Sequence, residues 1–132
     1  MHINHFAVVT AAIATLVIGG VWYSPLLFHK AWMHANGLND AELKKTSMGK
    51  IFGLSFVFSL IMAYNLAAFL GGPDTTVLWG STAGALAGIG WVALSIGILG
   101  LFERRSWKYV LINGGYFGLS FVVMGTIIGA WR

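Results

Sequence analysis

The sequence predicts an all-α membrane protein, a bundle of four transmembrane helices with a short interfacial helix in its first loop. Of its 132 residues, 58% are hydrophobic and only 9% are charged, whereas a soluble domain carries roughly a quarter charged residues. Four stretches without Asp, Glu, Lys, Arg or His approach or exceed the roughly 20 apolar residues that cross a bilayer: Phe6–Tyr23, Ile51–Leu70, Val77–Phe102 and Tyr109–Trp131. They use most of the chain, so we expect one domain over residues 1–132.

Local signals set the bounds of the first span and of the helix that follows it. The first span is expected to begin near Asn4 and to end before Pro25. Ser24 as a cap and Pro25 as a first helical residue predict a short helix, which Gly37 ends. Apolar and polar side chains fall on opposite faces of this segment, so we expect it to lie in the headgroup region.

Capping signals also mark the second and third spans. A capping box at Asn39–Glu42 predicts a helix from Asp40 that can continue unbroken into the second span. Two glycines followed by Pro73 end that span. Thr75 or Thr76 is expected to cap the third.

The distribution of basic residues predicts the orientation. The first connection carries four lysines and the third carries three basic residues, whereas the second carries none and the carboxyl end carries Arg132. By the positive-inside rule, the first and third connections are therefore cytoplasmic. Both termini and the Gly71–Thr76 loop are expected on the outer side.

Composition argues against several classes of function. The chain has no cysteine, which removes disulfides, thiolate metal sites and cysteine nucleophiles. Its basic residues lie at helix ends and form no stripe with exposed aromatic residues, so we expect no nucleic-acid partner. No acidic or basic residue lies within a span, which disfavours a proton- or ion-driven pump.

The four histidines do not have the spacing of a metal site. His2 and His5 are expected at one membrane surface, and His29 and His34 at the other. The latter two are five residues apart, which differs from the four-residue spacing that brings two ligands together on a helix. No nucleophile elbow, phosphate loop or paired-carboxylate motif is present. We therefore expect no metal, no cofactor, no catalytic residue and no enzymatic activity.

Glycines repeat every fourth residue in the third and fourth spans. Such small-residue stripes let helix backbones approach closely in lipid, where the hydrophobic effect no longer drives association. Two interpretations are open, packing within one chain and packing between copies of the chain. The glycines expected to pack helices are Gly80, Gly84, Gly88, Gly114, Gly118, Gly125 and Gly129.

A few polar residues lie within the spans. Asparagine in hydrocarbon normally finds a partner on another helix, worth about 0.6–2 kcal/mol. Bonds between helices are thus the first interpretation, and contacts to a substrate are the second. The residues are Asn113, Tyr116 and Ser120 on one face of the fourth span, Ser55 and Ser59 on one face of the second, and Asn65 near its outer end.

The segment from Trp22 to Trp32 is unusually aromatic. One interpretation is an interfacial anchor, because tryptophan and tyrosine collect at membrane surfaces. The other is that Pro25 turns the chain, so that Tyr23 and Trp32 fold back against the second and fourth spans near Asn113. That arrangement would form a small aromatic pocket for a partner helix or an amphipathic ligand.

The same segment resembles the DUF1761 family of small bacterial membrane proteins. The family hallmark is Trp-Tyr-x-Pro followed by Phe-Gly-Lys-x-Trp, and this chain has Trp22–Pro25 and Phe28–Trp32, with His29 where the family usually has glycine. Further similar positions are Asn4, Met62–Tyr64, Ile112–Tyr116 and Met124–Gly125. The resemblance implies a four-helix bacterial membrane protein of unknown function, and it supplies no activity or site residues. With the charge bias, it predicts the bacterial inner membrane and periplasmic termini.

Three functions remain in view. The leading hypothesis is a non-enzymatic bundle, surrounded by membrane lipids, that assembles through its glycine faces with itself or as a small subunit of a larger membrane complex. The alternative is an oligomeric channel or small-solute carrier lined by the polar residues of the second and fourth spans. A membrane enzyme acting on lipid is the third. A water-filled path, a closed dry core or a lateral groove in the structure would discriminate among them.

Overall fold

The computed structural model describes residues 2–132, and within them it contains helices and no strand. The six helices are α1 (His5–Trp22), α2 (His29–Asn36), α3 (Asp40–Lys44), α4 (Met48–Phe69), α5 (Val77–Phe102) and α6 (Trp107–Ala130). Four of them, α1, α4, α5 and α6, are long and apolar enough to cross a membrane. Their lengths correspond to about 27–39 Å at 1.5 Å per residue. The predicted all-α bundle of four spans is confirmed.

Several helix ends fall where the capping signals predict them. The Asn4 side chain accepts hydrogen bonds from the first backbone amides of α1. Thr76, one of two candidate caps, accepts a bond from the amide of Trp79 at the start of α5. Gly37 ends α2 with a φ of 64°, a left-handed conformation that glycine adopts without a steric penalty.

The first loop differs from the prediction at two places. Ser24 does not cap a helix, because its hydroxyl donates back to the carbonyl of Val21 at 2.6 Å. Turns therefore occupy the chain around Pro25, and α2 begins only at His29. The helix from Asp40 also does not continue into the second span. It ends after a little more than one turn, and Ser47 caps α4 as a separate helix through the amide of Lys50.

The four spans pack in the order α4, α1, α6, α5, and this series does not close into a ring. The most extensive contact joins α5 to α6, and α1 packs on both α6 and α4. Within residues 2–132 the backbones of α4 and α5 scarcely approach each other. In the most apolar 18-residue stretch of α6, 44% of the residues are buried, whereas in that of α5 only 11% are buried. The helix α6 is therefore central, and α5 is peripheral.

The bundle has two chemically different ends. At one end, which we call the terminal end, Arg132 donates from its two terminal nitrogens to the carbonyls of Leu70 and Gly72, both at 2.7 Å. The amide of His2 bonds the carbonyl of Gly71 at 3.1 Å. His2 and Arg132 thus both lie beside the loop between α4 and α5. The opposite end carries the other two connections and the remaining lysines and arginines, so we call it the basic end.

Candidate functional site

The aromatic segment folds onto the basic end of α6. Trp22 donates its indole N–H to the carbonyl of Ile112 at 2.8 Å. Its ring covers Gly115, where an added Cβ would lie 3.0 Å from the indole. The Phe28 ring also packs against the indole of Trp22, with ring centroids 4.8 Å apart. Trp22 is therefore a packing residue between α1 and α6.

Tyr23 connects this segment to the polar residues of α6. Its hydroxyl donates to Oδ1 of Asn113 at 2.6 Å, and the Asn113 amide donates to the carbonyl of Tyr109 at 3.0 Å. The Tyr23 ring meets the rings of Trp32 and Tyr116 nearly edge-on, with centroids 5.6 and 5.4 Å apart. We call Trp22, Tyr23, Phe28, Trp32, Asn113 and Tyr116 the aromatic cluster.

Tyr116 extends the aromatic cluster into the span of α1. Its hydroxyl donates to the carbonyl of Thr15 at 3.0 Å. A Cβ added at Gly19 would lie 3.1 Å from the same oxygen. The hydroxyl groups of Tyr23 and Tyr116 and the side-chain amide of Asn113 thus all have hydrogen-bond partners inside the protein. The Tyr116 bond joins α6 to α1, and the Tyr23 bond joins the end of α1 to α6.

The position of α2 follows from this cluster. Trp32 contacts Tyr23 and does not point away from the other helices. The backbone of α2 packs on α6, whereas the expected packing against the second span, α4, is at most marginal within residues 2–132. Pro25 is exposed in the turn. His29, which replaces the family's usual glycine, has no positive φ and begins α2, so a glycine is not needed there.

The other polar residues of the spans are not brought together. Ser59 is buried, Ser55 is partly buried and Asn65 is exposed. Ser120 is fully buried, and its hydroxyl has no hydrogen-bond partner within residues 2–132. Of these residues together with Asn113 and Tyr116, only Asn65 lines one of the openings described below.

Five of the seven predicted packing glycines lie where α5 crosses α6. A Cβ on Gly80 would overlap the carbonyl oxygen of Gly125, and one on Gly84 would overlap that of Phe121. Gly129 faces the carbonyl of Thr76 at 2.7 Å from its added Cβ. Gly88 completes the row and meets the Phe121 Cβ at 2.6 Å. These glycines are used within one chain.

The two remaining glycines, Gly114 and Gly118, lie where α5 and α6 diverge toward the basic end. A Cβ added at Gly114 would lie 3.2 Å from the Cβ of Ala93 on α5, and one added at Gly118 would lie 3.1 Å from the Ile89 side chain. They line an open groove of about 430 Å³ that has no polar side chain in its lining. We call this surface the glycine groove, lined by Ile89, Ala93, Leu94, Val110, Leu111, Gly114, Gly115, Gly118, Leu119 and Val122.

A second and larger opening separates α4 from α5 on another side of the bundle. We call it the lateral cleft, a space of about 690 Å³ lined by residues of both helices and by Phe121 of α6. The rings of Phe69 and Trp79 span its terminal end, with centroids 6.1 Å apart. Part of its wall is a π-helical segment of α5, Gly88–Ala93, and such segments occur frequently at functional sites.

Comparison with models of known protein families decides the relationship of this chain. The model described as "Protein of unknown function (DUF1761)" matches residues 6–129. The chain belongs to the DUF1761 family. No curated protein and no solved structure matches it.

The DUF1761 match covers the whole of α4 and α5 and nearly all of α1 and α6. The aromatic cluster, the glycine groove and the lateral cleft all lie within the matched residues. Because the family description assigns no reaction, a function for this DUF1761 protein has to be argued from its own geometry. Within residues 2–132 no three His, Asp or Glu side chains are grouped so that they could hold a metal ion.

Sequence reasoning missed the lateral cleft of this DUF1761 protein. Three of its lining residues, Phe69, Trp79 and Trp91, have no feature in the sequence that marks a common site. One signal was available: Trp91 is the fifteenth of the 26 residues of α5, and a polar N–H near the middle of a span is unusual because tryptophan favours the interfaces. Asn65 carries a second such signal in α4.

Proposed function

We propose that this DUF1761 protein is a non-enzymatic membrane helix bundle that assembles with a second copy of itself or with a helix of a larger membrane complex. The glycine groove is the observation that carries this proposal. In lipid, helices associate through close packing at small residues, and Gly114 and Gly118 have the four-residue spacing typical of such contacts.

The glycines at the α5–α6 crossing and those in the glycine groove differ in their surroundings, and this difference favours the groove as the interface. The glycines from Gly80 to Gly88 pack against α6 of the same chain. Their backbone is therefore covered and cannot contact a second copy. Gly114 and Gly118 are themselves buried, but they line a groove that is open to the surroundings. Leu111 and Leu119 flank it, with 69% and 43% of their surfaces exposed. A ridge of apolar side chains from another helix is the complementary shape.

Crosslinking in membranes tests the assembly, and the absence of native cysteine makes single introduced cysteines informative. We expect Leu111→Cys or Leu119→Cys to give dimers with a short bismaleimide in native membranes, because the groove brings these positions close to a partner. Val17→Cys on α1 is the matched control, since Val17 is 61% exposed and lies outside the groove. Equal dimer yields at all three positions would contradict the proposal.

A glycine substitution separates groove packing from chance encounters. Gly118→Leu fills the groove, and its Cβ meets only the flexible Ile89 side chain at 3.1 Å. We expect the variant to remain helical and to lose most of the crosslink at Leu111→Cys. Gly53→Leu is the control, because nothing lies within 4 Å of the Cβ added there. Retention of the full crosslink in Gly118→Leu would exclude this interface.

We infer that the basic end faces the cytoplasm of a bacterial cell and that the protein lies in the inner membrane. The supporting observation is the bias of lysine and arginine toward that end. We expect Asp74→Cys to react with an impermeant maleimide in intact cells whose outer membrane has been permeabilised, and Arg105→Cys to react only after lysis. The reverse labelling pattern would invert the orientation.

The channel or solute carrier remains the alternative function. It would need Ser55, Ser59, Asn113, Tyr116 and Ser120 to line a common path. In residues 2–132 none of these side chains lines the glycine groove or the lateral cleft, so no observation favours it over assembly.

A further inference from the structure

The lateral cleft contains two polar groups that the protein itself does not satisfy. Asn65 on α4 and Trp91 on α5 both line it, and within residues 2–132 neither side chain makes a hydrogen bond. Trp91 is 74% exposed near the middle of its span. An unpaired donor in hydrocarbon carries a desolvation penalty. A ligand that brings acceptor oxygens to this depth would remove the penalty.

The lateral cleft is elongated along α5 and has the volume of a small-ligand site. Its lining on α5 extends from Trp79 to Val92, which is about 20 Å at the helical rise of 1.5 Å per residue. The cleft has a volume of about 690 Å³. The volume lies within the range of small-ligand sites.

The charge and end structure of the lateral cleft favour a neutral ligand. No residue of its lining is ionisable. The contact between Phe69 and Trp79 spans the terminal end, where a lipid headgroup would otherwise reach water. A charged phosphate held inside would lack a partner, and isolated charges are costly in the hydrocarbon region. A phospholipid headgroup is therefore a poor match.

The aromatic lining adds a preference for a planar ring. Trp79, Trp91 and Phe121 all line the cleft, and aromatic side chains pack well against flat rings in offset or edge-to-face geometry. Asn65 lies about one turn below the end of α4, whereas Trp91 lies deeper. Two donors at different depths match a ring that carries acceptor oxygens on opposite sides.

We propose that the lateral cleft binds a neutral lipid of the quinone class, a ring with two carbonyl oxygens on an apolar chain. Asn65 Nδ2 donates to one carbonyl oxygen, and Trp91 Nε1 is placed to donate to the other. The cleft shares no lining residue with the glycine groove. The inference therefore goes beyond the proposed assembly, and either can fail without the other.

Equilibrium binding of decylubiquinone to the full chain in mild-detergent micelles tests the inference. Quinones quench tryptophan fluorescence, and Trp79 and Trp91 lie in the cleft. We expect a saturable component of quenching above the linear background from partition into micelles. Decylbenzene has the same chain and a ring without oxygen, so it should compete at least about 3-fold more weakly if the carbonyl bonds contribute as hydrogen bonds usually do.

Three variants define the position of the ligand. Gly90→Leu places a side chain in the cleft without a clash, because nothing lies within 4 Å of the added Cβ, and the same holds for its control Gly53→Leu outside the cleft. We expect the first to abolish saturable quenching and the second to retain it. Asn65→Leu keeps the shape and removes the donor, so it should weaken apparent affinity about 3- to 10-fold.

Two results would overturn the inference. Purely linear quenching by the wild-type chain, or saturation unchanged in Gly90→Leu, would show that the lateral cleft is not the binding site. Equal competition by decylbenzene together with full affinity of Asn65→Leu would show that the site takes any apolar chain and does not recognise carbonyl oxygens. Circular dichroism and gel filtration of each variant verify that it is folded. If Gly90→Leu does not fold, Asn65→Leu provides the test.

Discussion

Replacing Gly125 with alanine is expected to lower the free energy of unfolding by about 2–3 kcal/mol, the upper range for overpacking of a tight contact. The added methyl group would overlap the carbonyl oxygen of Gly80. Backbone atoms cannot rotate away as a side chain can, so α5 and α6 would have to separate along their closest crossing. This crossing is the main attachment of α5 to the rest of the bundle.

Gly53→Ala is the matched control for this substitution. Both glycines lie within transmembrane helices, but no atom lies within 4 Å of a Cβ added at Gly53. Alanine is the better helix former, so the control should lose no stability. Unfolding in mixed micelles with SDS, followed by near-ultraviolet circular dichroism, compares the two. Identical midpoints for Gly125→Ala and Gly53→Ala would show that the crossing is not as close as the structure places it.

The second large effect is expected for Trp22→Ala, at about 3–5 kcal/mol, the usual range for truncating a packed tryptophan. The substitution removes the indole bond to the carbonyl of Ile112 and the cover over Gly115. It also leaves Phe28 without its main aromatic neighbour. The same unfolding measurement gives the difference.

Trp107→Ala tests whether this effect belongs to packing or to membrane anchoring. Trp107 also lies at the basic end, as the first residue of α6, but it is 70% exposed. If tryptophans at this end act as interfacial anchors, both substitutions should have similar small effects. If Trp22 acts through the aromatic cluster, only Trp22→Ala should destabilise the protein by several kcal/mol. Comparable losses for the two variants would contradict the cluster.

Part of the aromatic cluster could be anticipated from the sequence. Two tryptophans, a tyrosine and a proline close together exceed what packing alone requires, and the expected approach of Tyr23 to Asn113 is made by a hydrogen bond between the two side chains. The choice of neighbour could not be anticipated. The sequence suggested contact with both the second and the fourth spans, whereas the described part of α2 packs mainly on α6. The lateral cleft was not foreseen, because it depends on two helices failing to meet.

The sequence by itself determined the number of spans, their approximate bounds and several of their caps. These features depend on local causes: apolar length set against bilayer thickness, and side chains such as Asn4 and Thr76 that accept bonds from the amides beside them. Only the tertiary structure decided which spans are neighbours, which glycines are consumed within the chain, and where the lateral cleft opens. The spans are apolar on every side, so no hydrophobic face directs them toward one another. Their order instead follows from the fit of one backbone against another, as where Gly80 meets Gly125.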